Sequence, residues 1–358
     1  MKRKLTVFLA ILLCFTSLTA CGKVQTRRFT GSYWLDNYSN KTAPDGFYEK
    51  LEYEVTTEKV EKTEDSDYVG TLVSMGTIKF EIDKVNSSYV TELYTENGNY
   101  VYETSLTVNG TYYYGADGKK EMKIENDVTK TKTVFKDFEN GFKVVSSQKQ
   151  ASNVFPASSS PSSEQDFKKV AYESIIEYGA KEAKVTLKTN DPISKEYFTT
   201  LSEPVTVKKY NKKAYIESEI MPLIFRSFKY DSSLVYTFNT IENITGTLKE
   251  ITGKAKTQTQ QTTESQGATQ KTIVPMTIEL CSLDGGKTRN DLDFDVMGVT
   301  FSTTGEFAQT FLTAYYETAR RNVTDTKTRH YMVKAYRPMI YNCTYMVYTL
   351  HNVYNERV

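Results

Sequence analysis

The segment Leu51-Glu52-Tyr53-Glu54-Val55 alternates apolar and charged residues, and Ile78-Lys79-Phe80-Glu81-Ile82 repeats the pattern. Successive side chains of a β-strand point to opposite faces of a sheet, so a period of two predicts strands with one buried face. Tyr89-Val90-Thr91-Glu92-Leu93-Tyr94 adds β-branched and aromatic residues, which suit a pleated surface. The alternation therefore predicts a mainly β protein.

Turn-forming dipeptides separate the alternating segments. They are Asn97-Gly98, Asn109-Gly110, Asp117-Gly118 and Asn140-Gly141. Asn-Gly and Asp-Gly supply the positive φ angles that tight hairpins need. Residues 47–150 are therefore expected to form a meander, and the fold class is long antiparallel strands in a curved sheet or half-barrel with one or two short helices.

Two short helices are predicted in the second half of the chain. The first follows the capping residue Asp191 and starts at Pro192, and the second starts near Ser218, because Pro222 is tolerated only in a first turn. Apolar side chains recur every four residues at Ile193, Tyr197 and Leu201, and again at Ile216, Ile220, Ile224 and Phe228. The second helix is expected to cover one face of the curved sheet.

Two segments of biased composition interrupt the strand pattern. Residues 151–166 are rich in Ser and Pro, as in a linker between two domains or a loop joining the halves of one sheet. We favour the loop, because neither half has an obvious closed set of strands. Residues 254–272, rich in Gln and Thr, predict a loop inserted as a hairpin between strands near 244–251 and 273–283.

The C-terminal region fits two patterns. Phe307, Phe311 and Tyr315 have helical spacing, whereas Phe311, Thr313 and Tyr315 alternate as in a strand. We predict strands, with a hairpin turn at 324–327 and a last strand pair within 341–354.

Composition excludes several classes of protein. The 358 residues carry 45 Lys and Arg against 44 Asp and Glu, so the formal net charge is +1. A nearly neutral chain has no overall electrostatic attraction to nucleic acid, and none is expected as a partner. The 27 tyrosines are expected in cross-strand pairs, with sugar binding as the alternative.

The N-terminus has the pattern of an export signal. Lys2, Arg3 and Lys4 precede an apolar stretch from Leu5 to Phe15 that is too short to span a membrane. Leu18-Thr19-Ala20-Cys21 resembles the lipobox of bacterial lipoproteins at every position. The resemblance implies that residues 1–20 are removed and that Cys21 becomes the acylated first residue; the alternative is a secreted protein with a chance cysteine.

The lipobox resemblance also predicts how the rest of the chain is organised and where it is located. Two acyl chains give stable anchoring, so residues 21–32 are expected to act as a lipidated tether for a body of residues 33–358. The membrane is thus the first expected partner, and the extracytoplasmic face of the cell membrane the expected location. Of the four cysteines, Cys14 would be removed with the signal and Cys21 would carry the lipid. Cys281 and Cys343 are then the two that remain, either bonded as a disulfide or present as two buried thiols.

Residues for catalysis are scarce. His330 and His351 are the two histidines, and neither lies at a metal-ligand spacing from another candidate ligand. Asp291, Asp293 and Asp295 form a weak metal candidate that lacks the rest of a calcium loop, and we prefer a half-exposed strand there. No phosphate loop, dinucleotide motif or C-x-x-C occurs, so no cofactor is predicted.

Residues 215–226 resemble a segment of uncharacterised exported bacterial β-proteins. The resemblance implies a curved sheet around a helix, similar to periplasmic lipoprotein carriers. The function expected is non-catalytic binding of an apolar ligand or an envelope component. The alternatives are a surface module that presents loops to a protein or polysaccharide, and an envelope hydrolase. The candidate ligand-lining side chains are Ile220, Leu223, Ile224 and Phe228.

Overall fold

The computed structural model describes most of the chain after residue 46. The described residues are 47–59, 78–136, 143–158, 160–189, 191–198, 203–208, 218–227, 235–256, 258–261, 268–282, 290–304, 310–321, 329–339 and 344–355. The predicted signal, Cys21 and the tether lie outside them. Every helix in the described ranges is too short to cross a membrane, the longest α-helix having 6 residues.

Strands dominate the described residues, as the alternation predicts. In chain order they are β1 (Tyr48–Lys59), β2 (Lys79–Ile82), β3 (Ser88–Glu96), β4 (Asn99–Tyr114), β5 (Lys120–Lys136), β6 (Lys143–Pro156), β7 (Phe167–Tyr178), β8 (Glu182–Lys188), β9 (Val205–Lys208), β10 (Val235–Ile241), β11 (Leu248–Ala255), β12 (Gln258–Gln261), β13 (Ala268–Lys271), β14 (Ile273–Leu280), β15 (Asn290–Thr303), β16 (Thr310–Arg320), β17 (Met332–Pro338) and β18 (Thr344–Tyr354).

Sixteen of these strands form one antiparallel sheet in the order β10-β11-β15-β16-β17-β18-β1-β3-β4-β5-β6-β7-β8-β9. In addition, β14 pairs with β15 beside β11, and β2 pairs with β4 beside β3. The first described strand therefore lies in the middle of the sheet, between β3 and the last strand. The fold prediction of long antiparallel strands is confirmed.

The sheet is curved so strongly that its two ends approach each other. Ile241 of β10, at one end of the strand order, packs with Val185 of β8 and Val207 of β9 at the other end. The Ser174 hydroxyl of β7 donates a hydrogen bond to the carbonyl of Asn243, just after β10. The sheet thus has an inner face, where the main core lies, and an outer face.

A short helical segment lies against the inner face. Residues 218–227 form a 3₁₀ turn (Ser218–Ile220), helix α2 (Met221–Ile224) and a second 3₁₀ turn (Phe225–Ser227), here called the inner helical segment. Phe225 packs edge-on against Phe301 of β15, with ring centroids 4.5 Å apart. The predicted start near Ser218 and the prediction that this helix covers the sheet are confirmed.

The other predicted helix is also present, although its buried side differs from the prediction. Helix α1 spans Pro192–Tyr197, and the Asp191 side chain accepts a hydrogen bond from the Ser194 amide, as a capping residue should. Ile193 is 47% exposed, whereas Ser194 is buried. The Ser194 hydroxyl joins α1 to the sheet, because it accepts a hydrogen bond from the Ala171 amide of β7.

Several predicted boundaries are corrected by long-range pairing. Residues 151–156 belong to β6 and pair with β7, so the Ser/Pro-rich segment contains a strand end and a hairpin connection within one sheet. Residues 254–272 contain β12 and β13, which form a separate two-stranded hairpin between β11 and β14, as expected of an insertion. The C-terminal region forms strands, although the last strand pair is β17 with β18. Residues 324–327 and 341–343 lie outside the described residues.

The Asn-Gly and Asp-Gly predictions have mixed outcomes. Asn97 and Gly98 have φ angles of 51° and 71° between β3 and β4, and Gly118 lies in the β4–β5 turn with φ 64°. Asn109-Gly110 is instead inside β4, at a register irregularity opposite β5. A Cβ atom on Gly110 would lie within 2.4 Å of the Glu81 carbonyl oxygen, so glycine there permits the close approach of β2. Asn140-Gly141 is outside the described residues.

Candidate functional site

A buried ion pair fixes the inner helical segment against the sheet. The Arg226 guanidinium, at the end of that segment, donates to both carboxylate oxygens of Glu49 on β1, over 2.6 and 3.0 Å. The two side chains are only 4% and 2% exposed. The same guanidinium donates to the Arg329 carbonyl over 3.2 Å. Such a two-point contact fixes orientation as well as distance.

Residues 329–331 form the other side of this anchor. His330 is buried with a φ angle of 51°, and its Nδ1 lies 2.9 Å from the Arg226 carbonyl oxygen. Burial lowers the pKa of His330 to about 4, so the ring is neutral at pH 7 and Nδ1–H can donate to that carbonyl. The guanidinium groups of Arg226 and Arg320 both lie over the Tyr331 ring, at 5.0 and 5.6 Å from its centroid. The inner helical segment is therefore held against the sheet through both the side chain and the backbone carbonyl of Arg226.

Two of the four predicted ligand-lining residues pack in the core. Ile220 and Leu223 are 0% and 1% exposed and belong to the main hydrophobic cluster. Ile224 is in α2, its side chain is not described, and Phe228 is outside the described residues. Ile220 and Leu223 thus present no accessible surface to a ligand in this structure.

Polar side chains gather at the start of the inner helical segment. We call them the inner polar cluster: Tyr89 on β3, Lys149 on β6, Tyr172 on β7, Glu219 on the helical segment, Arg337 on β17 and Tyr348 on β18. The Lys149 ammonium lies 3.1 Å from a Glu219 carboxylate oxygen, and the Tyr89 and Tyr348 rings are 4.9 Å apart. Five strands and one helical turn therefore supply a single group of side chains.

The inner polar cluster faces the interior and still has accessible surface. Lys149 lies on the same side of β6 as buried Ser147 and Ala151, yet its side chain is 23% exposed. Tyr172 lies on the inner side of β7 between buried Val170 and Ser174, and it too is only partly buried. Arg337 is exposed. The interior is therefore open to solvent at this cluster, which makes it a site that a ligand could reach.

Electrostatics at the cluster favour an anion. The Glu219 carboxylate raises the pKa of Lys149, and the Tyr348 hydroxyl, with Glu219 further away, raises the pKa of Arg337. Burial raises the pKa of Tyr172 and Tyr89, which keeps both phenols neutral. Within the cluster, Lys149 and Arg337 face one carboxylate, Glu219. The Glu242 carboxylate also acts on Lys149 and Tyr172, but it is paired with Lys249 at 2.6 Å, so the group keeps an excess of one positive charge.

The outer face has a shallow depression of about 290 Å³ over β3 to β6. Its lining is polar and includes Glu92, Glu103, Lys130, Lys132, Gln148 and Gln150. Several of these groups have partners on a neighbouring strand: Lys132 lies 3.1 Å from Glu103, and both Gln148 and Gln150 donate to Glu173 of β7. Mutual neutralisation of this kind is typical of a solvated sheet face, so we do not place the site there.

The three predicted aspartates lie on the exposed side of a strand. Asp291, Asp293 and Asp295 lie on β15 opposite buried Leu292, Phe294 and Val296, as the strand interpretation predicts. Asp293 accepts a hydrogen bond from Thr277 over 2.7 Å, and Asp295 pairs with Arg321. In the described part of the chain, no three His, Cys, Asp or Glu side chains are placed to hold a metal ion.

One cysteine of the predicted pair lies in the described part of the chain. Cys281 is a free thiol, and its amide bonds to the His351 carbonyl near the end of β18. Cys343 is outside the described residues and directly precedes Thr344, at the start of the same strand. The Cys281–Cys343 disulfide therefore stays a prediction.

Sequence reasoning did not find Lys149, Tyr172 or Arg337. Alternation places Lys149 on the inner side of β6, and a lysine at an inward position is a signal that could have been followed. The partners are more distant: Glu219 is 70 residues from Lys149 in sequence. Their meeting depends on the sheet curvature, which no local pattern contains.

Comparison with known proteins yields no relative. No family model matches the chain, and neither a curated protein nor a solved structure matches it significantly.

Proposed function

We propose that this chain is a lipid-anchored exported protein whose β body binds an acidic saccharide of the cell envelope without catalysis. The observation that carries the binding part is the pair of accessible cations, Lys149 and Arg337, on the inner face of the curved sheet. The anchoring part rests on Leu18-Thr19-Ala20-Cys21 at the end of the export signal.

The chemistry of the inner polar cluster supports an acidic saccharide over an apolar ligand. Arg and Lys recognise carboxylate, Arg by a planar fork of donors and Lys as a point charge. Tyrosine rings offer flat apolar faces next to polar hydroxyls, and Tyr89, Tyr172 and Tyr348 supply them here. Ile220 and Leu223, two of the four predicted lining residues, are buried in the core.

The binding test uses the full-length protein in detergent and an oligosaccharide of galacturonic acid, with the matching neutral galactose oligomer as the control ligand. Titration calorimetry should show saturable binding of the acidic ligand. Lys149→Gln and Arg337→Gln should each weaken it about tenfold, since an interaction with a charged group contributes roughly 1.5–3 kcal/mol. Lys130→Gln, which removes a cation from the outer face, should leave the affinity unchanged.

Three results would contradict the binding proposal: equal affinity for the neutral oligomer, equal loss in Lys130→Gln, or no saturable binding. Native mass spectrometry of the same preparation separates the apolar-ligand hypothesis. A stoichiometric lipid adduct that persists in Lys149→Gln would favour that hypothesis and oppose ours.

The anchor has its own test. Cys21→Ser should move the protein from the membrane fraction to the soluble fraction and abolish incorporation of labelled palmitate. A wild-type chain without label, or a Cys21→Ser chain that stays in the membrane, would overturn the anchoring part and leave the saccharide proposal intact.

One observation favours a second function, that of a surface interaction module. β12 and β13 form a hairpin that is paired with no strand of the 16-stranded sheet among the described residues. A hairpin that adds nothing to the main sheet is available to present side chains to a protein partner. Deleting residues 256–270 should then abolish capture of that partner while leaving saccharide binding and thermal stability unchanged.

A further inference from the structure

A thiol, an imidazole and a carboxylate come together on the outer side of the sheet, away from the inner polar cluster. Cys281 Sγ lies 3.0 Å from His351 Nε2 and 3.7 Å from His351 Nδ1, so the sulfur contacts both ring nitrogens and is nearer to Nε2. His351 Nδ1 lies 3.6 Å from a Glu54 carboxylate oxygen. Three chain segments supply the group: the end of β14, the end of β18 and the middle of β1.

A β-bulge points His351 at the thiol. In the β1–β18 pairing, Glu52 faces Asn352 while Tyr53 faces Leu350, so His351 is the extra residue of the irregularity. Bulges redirect a side chain and are frequent next to active sites. Without the bulge, His351 would continue the regular alternation of β18.

The backbone around Cys281 is fixed by the same strand. The Cys281 amide donates to the His351 carbonyl over 2.8 Å, and the Val353 amide donates to the Ser282 carbonyl over 3.0 Å. The thiol is therefore held at a set distance from the imidazole. The three side chains remain accessible, since His351 and Glu54 are 31% and 45% exposed and Cys281 is partly exposed.

We propose that Cys281 is a reactive thiol for which His351 is the proton acceptor and Glu54 the positioning residue. A nucleophile within hydrogen-bond reach of a base, with a third group beside the base, is the arrangement that activates cysteine. The reagent class is a small disulfide, R–S–S–R. The inference is independent of saccharide binding and of the lipid anchor.

The reaction balances without a further oxidant. His351 takes the thiol proton, and the Cys281 sulfur attacks one sulfur of R–S–S–R. The Cys281–S–S–R bond forms, the S–S bond of the reagent breaks, and the leaving group R–S⁻ departs and can take the proton from His351. Cys281 is oxidised to the disulfide level and half of the reagent is reduced to a thiol.

Disulfide exchange fits the local geometry better than acyl transfer. Acyl transfer needs donors for a developing oxyanion, and the backbone amide of the nucleophile is a common one. Here the Cys281 amide is already bonded to the His351 carbonyl. Exchange at sulfur develops no oxyanion and needs no such donor.

The test measures mixed-disulfide formation with oxidised glutathione on the reduced full-length protein in detergent. Peptide mass spectrometry follows Cys281 and Cys343 separately in each sample. Cys281 should react at least about tenfold faster in the native protein than in concentrated urea, because the imidazole contact exists only in the fold. His351→Gln should remove that advantage, and Glu54→Gln should reduce it in part.

The control for histidine loss is His330→Asn, which changes a buried ring elsewhere and should leave the Cys281 rate at the wild-type value. Amide hydrogen exchange on β18 shows whether each variant keeps the native pairing. Equal Cys281 rates in native and urea-treated wild-type protein would overturn the proposal without relying on any variant. Equal rates in natively folded wild-type and His351→Gln protein would overturn the role of the imidazole.

Discussion

Arg226 and Glu49 form a buried two-point ion pair although 177 residues separate them in sequence. The pair joins the inner helical segment to β1, in the middle of the sheet order. It therefore determines where Glu219, at the other end of the same segment, meets Lys149.

Removing one partner of this pair should destabilise the protein strongly. Arg226→Ala or Glu49→Ala leaves an unpaired charge in a dry environment, so each should lower the free energy of unfolding by about 3–5 kcal/mol. The double variant Arg226→Ala with Glu49→Ala should lose less than the two single losses added together. Urea unfolding measures all three; strictly additive losses would show that the two groups do not interact.

His330 should make stability depend on pH. Its pKa is about 4 in the folded protein, against about 6.5 when unfolded, so the unfolded chain binds a proton first as the pH falls. Stability is therefore lost between about pH 6.5 and 4, by up to roughly 3 kcal/mol. Asn tolerates positive φ, so His330→Asn should fold and show a smaller loss over that range. An unchanged pH slope in His330→Asn would assign the loss to other groups.

Asp127 should make the pH dependence of stability run in the opposite direction to that of His330. Burial raises the pKa of Asp127 to about 6, and its Oδ1 accepts a hydrogen bond from the Val154 amide over 3.1 Å. The folded protein then binds the proton more tightly, so this contribution falls as the pH rises from about 4 to 6. Asp127→Asn keeps an acceptor oxygen and should be more stable than wild type at pH 7, by about 1–2 kcal/mol after allowing for solvent screening. Thermal unfolding at pH 4 and 7 measures this; a gain equal at both values would contradict the assignment.

Leu223 tests whether the helical segment is core or ligand lining. Truncation of a fully buried leucine costs about 2–5 kcal/mol, and Leu223→Ala should show a loss of that size with unchanged saccharide affinity. Ile193→Ala, on the exposed side of α1, is the matched control and should change stability little. A Leu223→Ala variant that kept its stability but lost saccharide binding would indicate that the apolar residues line the ligand site.

Gly253 offers a steric prediction. A Cβ atom there would come within 2.5 Å of the Phe225 ring, in the contact between β11 and the inner helical segment. Gly253→Ala should therefore lower stability by about 1–3 kcal/mol, as overpacking does. Gly98→Ser is a useful comparison, because no atom lies within 4 Å of a Cβ at Gly98 and only the φ angle of 71° opposes the change. A Gly253→Ala protein as stable as wild type would indicate that Phe225 moves freely, contrary to its buried packing.

The sequence by itself determined the fold class and the local elements. In β1, the apolar residues Leu51, Tyr53 and Val55 are buried, whereas Glu52 is half-buried and Glu54 is exposed, as the alternation predicts. Asp191 caps α1, and Pro222 lies in the first turn of α2, because capping and proline geometry are properties of a few neighbouring residues. These features depend on nearest-neighbour stereochemistry, which a single sequence contains in full.

Only the tertiary structure decided which side chains meet. Lys149 meets Glu219, Cys281 meets His351 and Arg226 meets Glu49 across 70, 70 and 177 residues. Each contact depends on strand order, on a bulge at His351 or on a curvature that joins the two ends of the sheet. Alternation cannot supply these, because a pattern of period two states which side of a strand a residue faces and leaves open which strand lies beside it.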